Sequence, residues 1–312
     1  MSVISEAQFV DLYLGVDFCD VKGLDGASAH YIEAPAAWQV ALETLRLRCN
    51  ERFAADQDPE FSIIEDGVVL RVTQLLDAHG QTVFVLNKSN AIIRDFQYLG
   101  FPDEVVAALL NKQQRGLVMF CGESGTGKTS SAASLIVARL QACGGIAFAV
   151  EDPQETNLHG PHGQGRCIQV QVSRRTGGYE EALLRSLRAR ADQILIGEMR
   201  DTPTAAQTVR AAINGYFMIT TLHAGSIEQG IERLASTAQP EIPNAREILA
   251  QGLIAVIWQT IESGVDGRRQ LKSKSLLLTG QDGPGIREKI RTGHIELIAQ
   301  DVENQSKRSL WT

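Results

Sequence analysis

The eight residues Gly122–Thr129 constrain the fold of this chain more than any other segment. They read GESGTGKT and satisfy the pattern G-x-x-x-x-G-K-[ST], between the strand-like run Gly116–Cys121 and the helical pattern Ser130–Gln141. The glycines allow the backbone to curl so that its N–H groups surround a phosphate. The following helix directs its positive end to the same point. The segment therefore predicts a P-loop nucleotide site in an α/β fold.

The predicted nucleotide-binding residues share this loop and the first turn of its helix, and ATP with Mg²⁺ is the expected ligand. Lys128 supplies a cation for the β- and γ-phosphates, and the Thr129 hydroxyl can ligate Mg²⁺. The full set is Gly122, Ser124, Gly125, Thr126, Gly127, Lys128, Thr129 and Ser130.

Acidic residues follow two of the apolar strand patterns downstream of this loop. Glu151 comes directly after Ile146–Val150, and Glu198 comes two residues after Ile194–Ile196. Ligands bind at the carboxyl edge of a parallel sheet, so both acids can reach a nucleotide. Glu198 could position Mg²⁺ or polarise the attacking water, although an acid at a strand end can also be a surface residue.

The next strand pattern, Phe217–Thr221, is followed by His223. A histidine beside a phosphate site can sense the γ-phosphate, whereas a lone histidine is more often structural. The spacing of the residues leaves these two interpretations open.

The order of strand and helix patterns changes near residue 100, which predicts two domains. Before that point we expect a strand at Asp11–Leu14, a helix from Ala36 to about Phe53, and an antiparallel sheet under the helix. The strands expected for that sheet are Phe61–Ile64, Val68–Thr73 and Thr82–Leu86.

After residue 100, apolar strands alternate with helical patterns such as Tyr179–Ala189 and Thr204–Ile213, which indicates a doubly wound α/β core. Gly100 and Pro102 mark a linker, and Asp103 is expected to cap a helix at Glu104–Asn111. The predicted domains are residues 1–97 and 105–312, joined by the linker 98–104.

Composition narrows the class of protein further. The chain is 44% hydrophobic and 21% charged, with a formal net charge of −7 and no tract of Lys and Arg, so it lacks the electrostatic footprint of a duplex-DNA binder. Its five cysteines form no CxxC pair, which argues against a zinc ribbon and favours a reducing compartment.

The amino terminus has no signal-peptide pattern, and the apolar runs Leu253–Trp258 and Leu276–Leu278 are too short to span a bilayer. We therefore expect a cytoplasmic protein with no direct membrane insertion. His159 and His162 suggest a metal loop, but two histidines without further ligands at suitable spacing are more typical of a flexible connection.

Four motifs in order resemble those of the secretion ATPase superfamily, which drives type II secretion, type IV pili and type IV secretion. ESGTGKT, AVEDPQE, ILIGEMRD and TTLHA are similar to its Walker A motif, Asp box, Walker B motif and His box. The closest resemblance is to the type IV pilus retraction (twitching motility) ATPases. Weaker similarities are the strand Leu70-Arg71-Val72, the linker Leu99–Pro102 and the segment Arg166-Cys167-Ile168.

This resemblance implies a PAS-like α+β domain followed by a RecA-like ATPase domain with C-terminal helices. It also implies a ring of six subunits that binds ATP between the domains, with arginines such as Arg71 completing the site. Glu151 and Glu198 inherit metal positioning and water activation, with Glu198 favoured for hydrolysis. The implied partner is an inner-membrane platform protein, which would hold the ring at the membrane periphery.

Several residues depart from the retraction-type pattern. The arginine expected after the Arg71 strand is missing, since Thr82–Val85 occupies that stretch, or is displaced to Lys88. A second histidine beyond His223 is not evident in the His box, and the C-terminal AIRNLIRE-type segment appears as GIREKIR at residues 285–291. Alternative arginines for the site are Arg174, Arg175 and Arg188.

The residues do not decide between pilus retraction, pilus assembly and type IV secretion (conjugative transfer). From a different class, a RecA-like nucleic-acid translocase remains an alternative that the acidic balance disfavours. A third alternative is a non-hydrolysing ring subunit, and the intact Lys128, Thr129, Glu151 and Glu198 argue against it.

Overall fold

The computed structural model describes residues 2–89, 91–172, 177–263 and 269–308. Its contacts divide these residues into two compact units. The first unit takes the described residues within 1–91, 152–157 and 171–175, and the second takes those within 92–151, 158–170 and 176–312. Two short segments beyond residue 150 thus group with the amino-terminal part of the chain.

The first unit is a six-stranded antiparallel sheet with a long helix. Its helices are α1 (Val3–Glu6) and α2 (Gln39–Asp56). Its strands are β1 (Asp11–Leu14), β2 (Cys19–Lys22), β3 (Tyr31–Glu33), β4 (Glu60–Glu65), β5 (Val68–Leu76) and β6 (Thr82–Lys88). They lie in the order β3-β2-β1-β6-β5-β4. The four strands predicted in this part are all present.

The core of this unit forms where one face of α2 meets one face of the sheet. Leu42 and Leu45 of α2 lie in one buried cluster with Leu12, Phe61 and Phe84 of the strands. Alternate residues of β1 and β6 are buried, as expected of strands with one covered face. The predicted helix was placed slightly early, because Ala36–Trp38 form a 3₁₀ turn and α2 ends only at Asp56.

The second unit is built on an eight-stranded mixed sheet. Its strands are β7 (Gly116–Gly122), β8 (Gly145–Glu151), β9 (Gly160–His162), β10 (Gly165–Gln171), β11 (Gln193–Ile196), β12 (Phe217–His223), β13 (Leu253–Ser263) and β14 (Arg269–Leu277). They lie in the order β14-β13-β7-β12-β11-β8-β10-β9. Its helices are α3 (Asp103–Leu110), α4 (Lys128–Cys143), α5 (Gly178–Arg188), α6 (Thr202–Ile213), α7 (Ile227–Ala238), α8 (Ala245–Gly252), α9 (Gly283–Thr292) and α10 (Ile298–Arg308).

The middle of this sheet is parallel and its ends are antiparallel. Strands β13, β7, β12, β11 and β8 run parallel to their neighbours in that order. The pairs β13–β14 and β9–β10 are antiparallel. Every residue of β7 and β11 is buried, which explains the continuous apolar runs Leu117–Cys121 and Ile194–Ile196 within them. The parallel strands form the predicted α/β core, and two hairpins that were not predicted extend the sheet at its ends.

The apolar run Leu253–Trp258 belongs to β13, which pairs with the strand that leads into the P-loop. Its sequence is apolar because the strand lies inside the sheet. None of the helices in the described part of the chain has the length and apolar character that a bilayer crossing requires.

The junction near residue 100 differs in detail from the prediction. Phe96–Tyr98 form a 3₁₀ turn that Asp95 caps through the N–H of Gln97. Helix α3 begins at Asp103 itself, with Pro102 in the capping position and no side-chain cap. The predicted cap at Asp103 was wrong, and this residue instead places negative charge in the first helical turn.

Candidate functional site

The P-loop links β7 to α4 through glycines whose conformations other residues rarely adopt. Gly122 has φ of 152°, and a Cβ built there would lie 2.4 Å from the main-chain oxygen of Gln259. Gly127 caps α4 in the left-handed region, with φ of 84°. The Thr126 hydroxyl donates to the main-chain oxygen of Glu123 at 2.9 Å and closes the loop on itself. The loop therefore has the curled shape that the motif predicted.

Lys128 is buried at the start of α4, and its ammonium group lies at the mouth of the loop. Its Nζ donates to the main-chain oxygen of Glu123 at 2.6 Å and lies 3.4 Å from Nδ1 of His223. Only 6% of the residue is exposed. The following residue, Thr129, is half-buried in the first helical turn. The loop thus holds a cation and a hydroxyl at one place.

Three of the predicted site residues form one chain of polar contacts across the carboxyl ends of the parallel strands. His223 ends β12, opposite Gly122 of β7 in the sheet register. Its Nε2 lies 3.1 Å from Oε1 of Glu198, which follows β11. The other Glu198 oxygen accepts from Arg200 Nε at 2.7 Å. The structure therefore brings Lys128, His223 and Glu198 together, as the strand-end argument predicted.

The protonation of His223 follows from its surroundings. Burial and the adjacent Lys128 lower the pKa of this imidazole, against a smaller opposing effect of Glu198. A neutral ring that accepts from Lys128 at Nδ1 must carry its proton at Nε2, where it can donate to Glu198. We assign this tautomer from the hydrogen-bond partners. In this state His223 is a bridge between a cation and an anion.

Glu151 reaches the same edge from β8 and is almost fully buried, at 2% exposure. Its Oε2 accepts from Nε2 of Gln169 at 2.7 Å. Gly197 lies beside it, and a Cβ built on that glycine would approach Cγ of Glu151 to 3.1 Å. A glycine before Glu198 therefore leaves room for the Glu151 side chain.

Ser130 was predicted to bind nucleotide, but its hydroxyl has a structural partner. Ser130 Oγ accepts from the main-chain N–H of Ile92 at 3.1 Å, and one turn later Ser134 Oγ accepts from that of Arg94 at 2.9 Å. These two serines of α4 thus hold the segment that precedes α3. The main-chain N–H of Ser130 remains part of the predicted phosphate-binding turn.

The predicted arginine partner, Arg71, belongs to the first unit. On β5 its Nη1 forms an ion pair with Oε1 of Glu155 at 2.9 Å, and Glu155 lies in the Asp-box segment of that same unit. Lys88, considered as a substitute, donates to the main-chain oxygens of Ser5 and Ala7 at 2.8 and 2.5 Å. Its ammonium group therefore fastens the amino-terminal segment.

Only one of the three alternative arginines lies among the described residues. Arg174 and Arg175 lie outside the described residues. Arg188 is exposed at the end of α5.

The two histidines that suggested a metal loop form hydrogen bonds with the main chain instead. His159 Nδ1 accepts from Gln169 N at 3.3 Å, and His162 Nε2 pairs with the oxygen of Leu158 at 2.8 Å. They stabilise the β9–β10 hairpin.

Two glutamines that belong to none of the sequence motifs also contribute to the site. Gln169 of β10 holds Glu151, and the fully buried Gln259 of β13 donates from Nε2 to the main-chain oxygen of Thr126 at 2.6 Å. Gln259 is separated from Thr126 by 133 positions, so no local pattern could reveal the contact. The one available signal was a polar residue that ends the apolar run Leu253–Trp258.

A metal ion in this site would be bound mainly through the nucleotide. Among the described residues, no three His, Cys, Asp or Glu side chains are grouped to hold a metal. Mg²⁺ in such sites needs only one or two protein oxygens in addition to phosphates and water. Thr129 has a hydroxyl oxygen and Glu151 a buried carboxylate, which are the types of ligand atom that Mg²⁺ prefers.

Comparisons with known proteins identify the family of this chain. The family described as "Type II/IV secretion system protein" matches residues 39–288. The type IV pilus ATPase PilU of Pseudomonas aeruginosa is 26% identical over 97% of this chain and 78% of its own length. The retraction ATPase PilT of the same organism is 33% identical over 64% of this chain, and the match spans 56% of that relative.

A solved structure shows the fold. The crystal structure of the pilus retraction motor PilT with bound ADP has a TM-score of 0.76 and 24% sequence identity, over 96% of this chain and 89% of that one. The mixed sheet with its P-loop is therefore the α/β fold of that ATPase. Because the family match covers most of the chain and the P-loop is intact, this protein is an ATPase of the type II/IV secretion system protein family.

Proposed function

We propose that this chain is a hexameric motor that converts ATP hydrolysis into pilus retraction or a related movement of a pilus or secretion machine. The observation that carries the proposal is the polar chain from Lys128 through His223 to Glu198, which joins the P-loop to the ends of two neighbouring strands. The similarity to pilus ATPases over most of the chain supports the choice of machine.

The proposed chemistry begins with the loop and the lysine. The N–H groups of the loop and the first turn of α4 would surround the β-phosphate, while Lys128 exchanges the oxygen of Glu123 for phosphate oxygens. Thr129 and Glu151 would hold Mg²⁺, which in such sites neutralises the charge that develops on the phosphates. These residues account for binding.

Hydrolysis also requires a group that orients water at the γ-phosphate. Glu198 is our candidate, because it follows β11, the second strand from β7 in the sheet, and His223 and Arg200 contact its two oxygens. His223 contacts both Lys128 and Glu198, so it is suited to register whether the γ-phosphate is present. Arg71 would complete the site after leaving Glu155.

The proposed motor function also includes a domain arrangement and an oligomeric assembly. We propose that residues 1–97 are a PAS-like domain, that residues 98–104 are a linker and that residues 105–312 are a RecA-like ATPase domain with C-terminal helices. Six copies would form a cytoplasmic ring, held at the membrane periphery by an inner-membrane platform protein of the machine. The net charge of −7 argues against nucleic acid as the moved substrate.

A deletion strain that carries a plasmid copy of this chain tests the proposal. Excess surface pili on the deletion strain, reversed by the intact chain but not by a Lys128→Ala chain, are the result expected of a retraction motor. Bald cells would indicate an assembly motor, and normal pili with lost transfer would indicate a secretion ATPase. Normal pili, motility and secretion would overturn the proposal.

A further inference from the structure

The side-chain amide of Gln169 is bonded in both directions. Its Nε2 donates to Oε2 of Glu151 at 2.7 Å, and its Oε1 accepts from the main-chain N–H groups of Leu158 and His159 at 2.8 Å each. Two N–H donors at one end of the amide identify that end as the oxygen. The NH₂ group must therefore face Glu151, and the amide cannot flip without losing all three bonds.

These bonds lie at the two ends of one excursion of the chain, the segment 152–157, which belongs to the first unit. After Glu151 the chain leaves the second unit, residues 152–157 group with the first unit, and the chain returns at Leu158. Gln169 thus holds the residue before the excursion by its side chain and the two residues after it by their N–H groups.

Inside the first unit the same excursion has its own anchors. Ser62 Oγ donates to the oxygen of Gln154 at 2.7 Å, and Ser89 Oγ donates to that of Glu155 at 2.6 Å. The Arg71–Glu155 ion pair lies at the same place. Side chains of the first unit therefore hold the segment that lies between Glu151 and Leu158 in the chain.

We infer that Gln169 is a positioning residue for hydrolysis: it fixes the Glu151 carboxylate at the sheet edge and ties it to the return point of the 152–157 excursion. The inference rests on the proposed role of Glu151. A carboxylate on a flexible side chain is effective only where its position is held, because a shift of about 1 Å in a reacting group can lower turnover by about a hundredfold. Gln169 supplies that restraint from the neighbouring strand β10.

The first test replaces Gln169 by methionine, which has a similar length and no hydrogen-bonding amide. We expect kcat for ATP to fall about tenfold or more. The Kd for ADP, measured in EDTA with a fluorescent analogue, should stay within about twofold because the P-loop does not change. The control is Gln164→Met, at an exposed position of the same hairpin. Unchanged turnover in Gln169→Met, or an equal loss of ADP binding, would overturn the inference.

The second test separates positioning from general support of the hairpin. Gln169→Glu keeps an oxygen for the N–H groups of Leu158 and His159 but replaces the donor to Glu151 by a second carboxylate, which repels Glu151. Hydrogen exchange of the nucleotide-free protein should show slow exchange at both amides in Gln169→Glu and faster exchange in Gln169→Met. Both variants should lose turnover. Full turnover in Gln169→Glu would show that the bond to Glu151 is not needed.

The third test is a double-mutant cycle with Glu151→Gln. If Gln169 acts through the Glu151 carboxylate, adding Gln169→Met to Glu151→Gln should lower kcat no further. Losses that multiply would overturn the inference. Wild-type turnover in Glu151→Gln alone would instead refute the proposed role of Glu151, so the two failures can be distinguished.

Discussion

Nε2 of His223 lies 3.1 Å from Oε1 of Glu198, while Nδ1 of the same ring lies 3.4 Å from Nζ of Lys128. One imidazole thereby connects the ends of two neighbouring strands with the P-loop lysine. A change at the phosphate that moves Lys128 must alter the partners of His223 and, through them, the carboxylate proposed to orient water.

Replacing Glu198 by glutamine removes the negative charge but keeps the size of the side chain. We expect the variant to bind ATP and to hydrolyse it about a hundredfold more slowly, as for the loss of a catalytic acid or base. Phosphate release and ATP binding, measured on the same preparation, check this. Glu296→Gln, an exposed residue of the carboxy-terminal region, is the control. Undiminished turnover in Glu198→Gln would refute the assigned role.

The lowered pKa of His223 predicts a dependence of stability on pH. Because the folded protein disfavours the charged ring, the unfolded chain takes up this proton more readily as the pH falls below the ordinary value of 6.5. The contribution of His223 to stability is complete above that value and is lost at lower pH. Between about pH 7.5 and 5.5, the melting temperature of the wild type should fall by more than that of His223→Gln. Parallel curves for the two proteins would contradict this prediction.

Gly122→Ala tests the close approach of the P-loop to β13. Its Cβ would lie 2.4 Å from the oxygen of Gln259, whereas a Cβ at Gly280, which also has positive φ, would meet nothing within 4 Å. Both changes incur backbone strain of about 1–2 kcal/mol, and only Gly122→Ala adds a clash. We expect a clearly lower melting temperature and weaker ATP binding for Gly122→Ala than for Gly280→Ala. Equal effects would show that the approach is not tight.

Gln259→Met removes the bond that supports the loop from behind. Loss of the 2.6 Å contact with the oxygen of Thr126 should weaken nucleotide binding about fivefold, which corresponds to one hydrogen bond of about 1 kcal/mol. Calorimetric titration with ADP measures the effect. Gln270→Met, at an exposed position of the adjacent strand β14, should leave the affinity unchanged. An unaltered Kd in Gln259→Met would mean that the loop holds its shape without this support.

Arg71→Ala distinguishes a stabilising arginine from a functional one. The Arg71–Glu155 pair is partly exposed, with side-chain exposures of 41% and 33%, so it should contribute less than about 1 kcal/mol to stability. We expect nearly unchanged melting and turnover lowered about tenfold or more, because the arginine would complete the ATP site. Arg48→Ala, which breaks the similar pair with Glu65, is the control for loss of a surface ion pair. Turnover that stays normal in Arg71→Ala would remove Arg71 from the site.

Local patterns predicted the elements that carry the site. The run Gly116–Cys121 had to be a buried strand because it is continuously apolar, and the glycines after it had to turn because other residues disfavour positive φ. Glu151, Glu198 and His223 were proposed as site residues because each comes after an apolar strand pattern in the sequence. The prediction missed the hairpins β9–β10 and β13–β14 at the two ends of the sheet and placed the start of α3 one residue too late.

The sequence by itself determined the P-loop, the strand ends and the residue types that meet there, since these follow from glycine conformation, apolar periodicity and side-chain chemistry within short segments. Only the tertiary structure decided which groups hold them. Gln259 reaches Thr126 from β13, Gln169 fixes Glu151 from β10, and Arg71 is paired with Glu155. Each of these contacts joins residues at least 18 positions apart, and hydrogen-bond geometry between such residues exists only once the strands are in register.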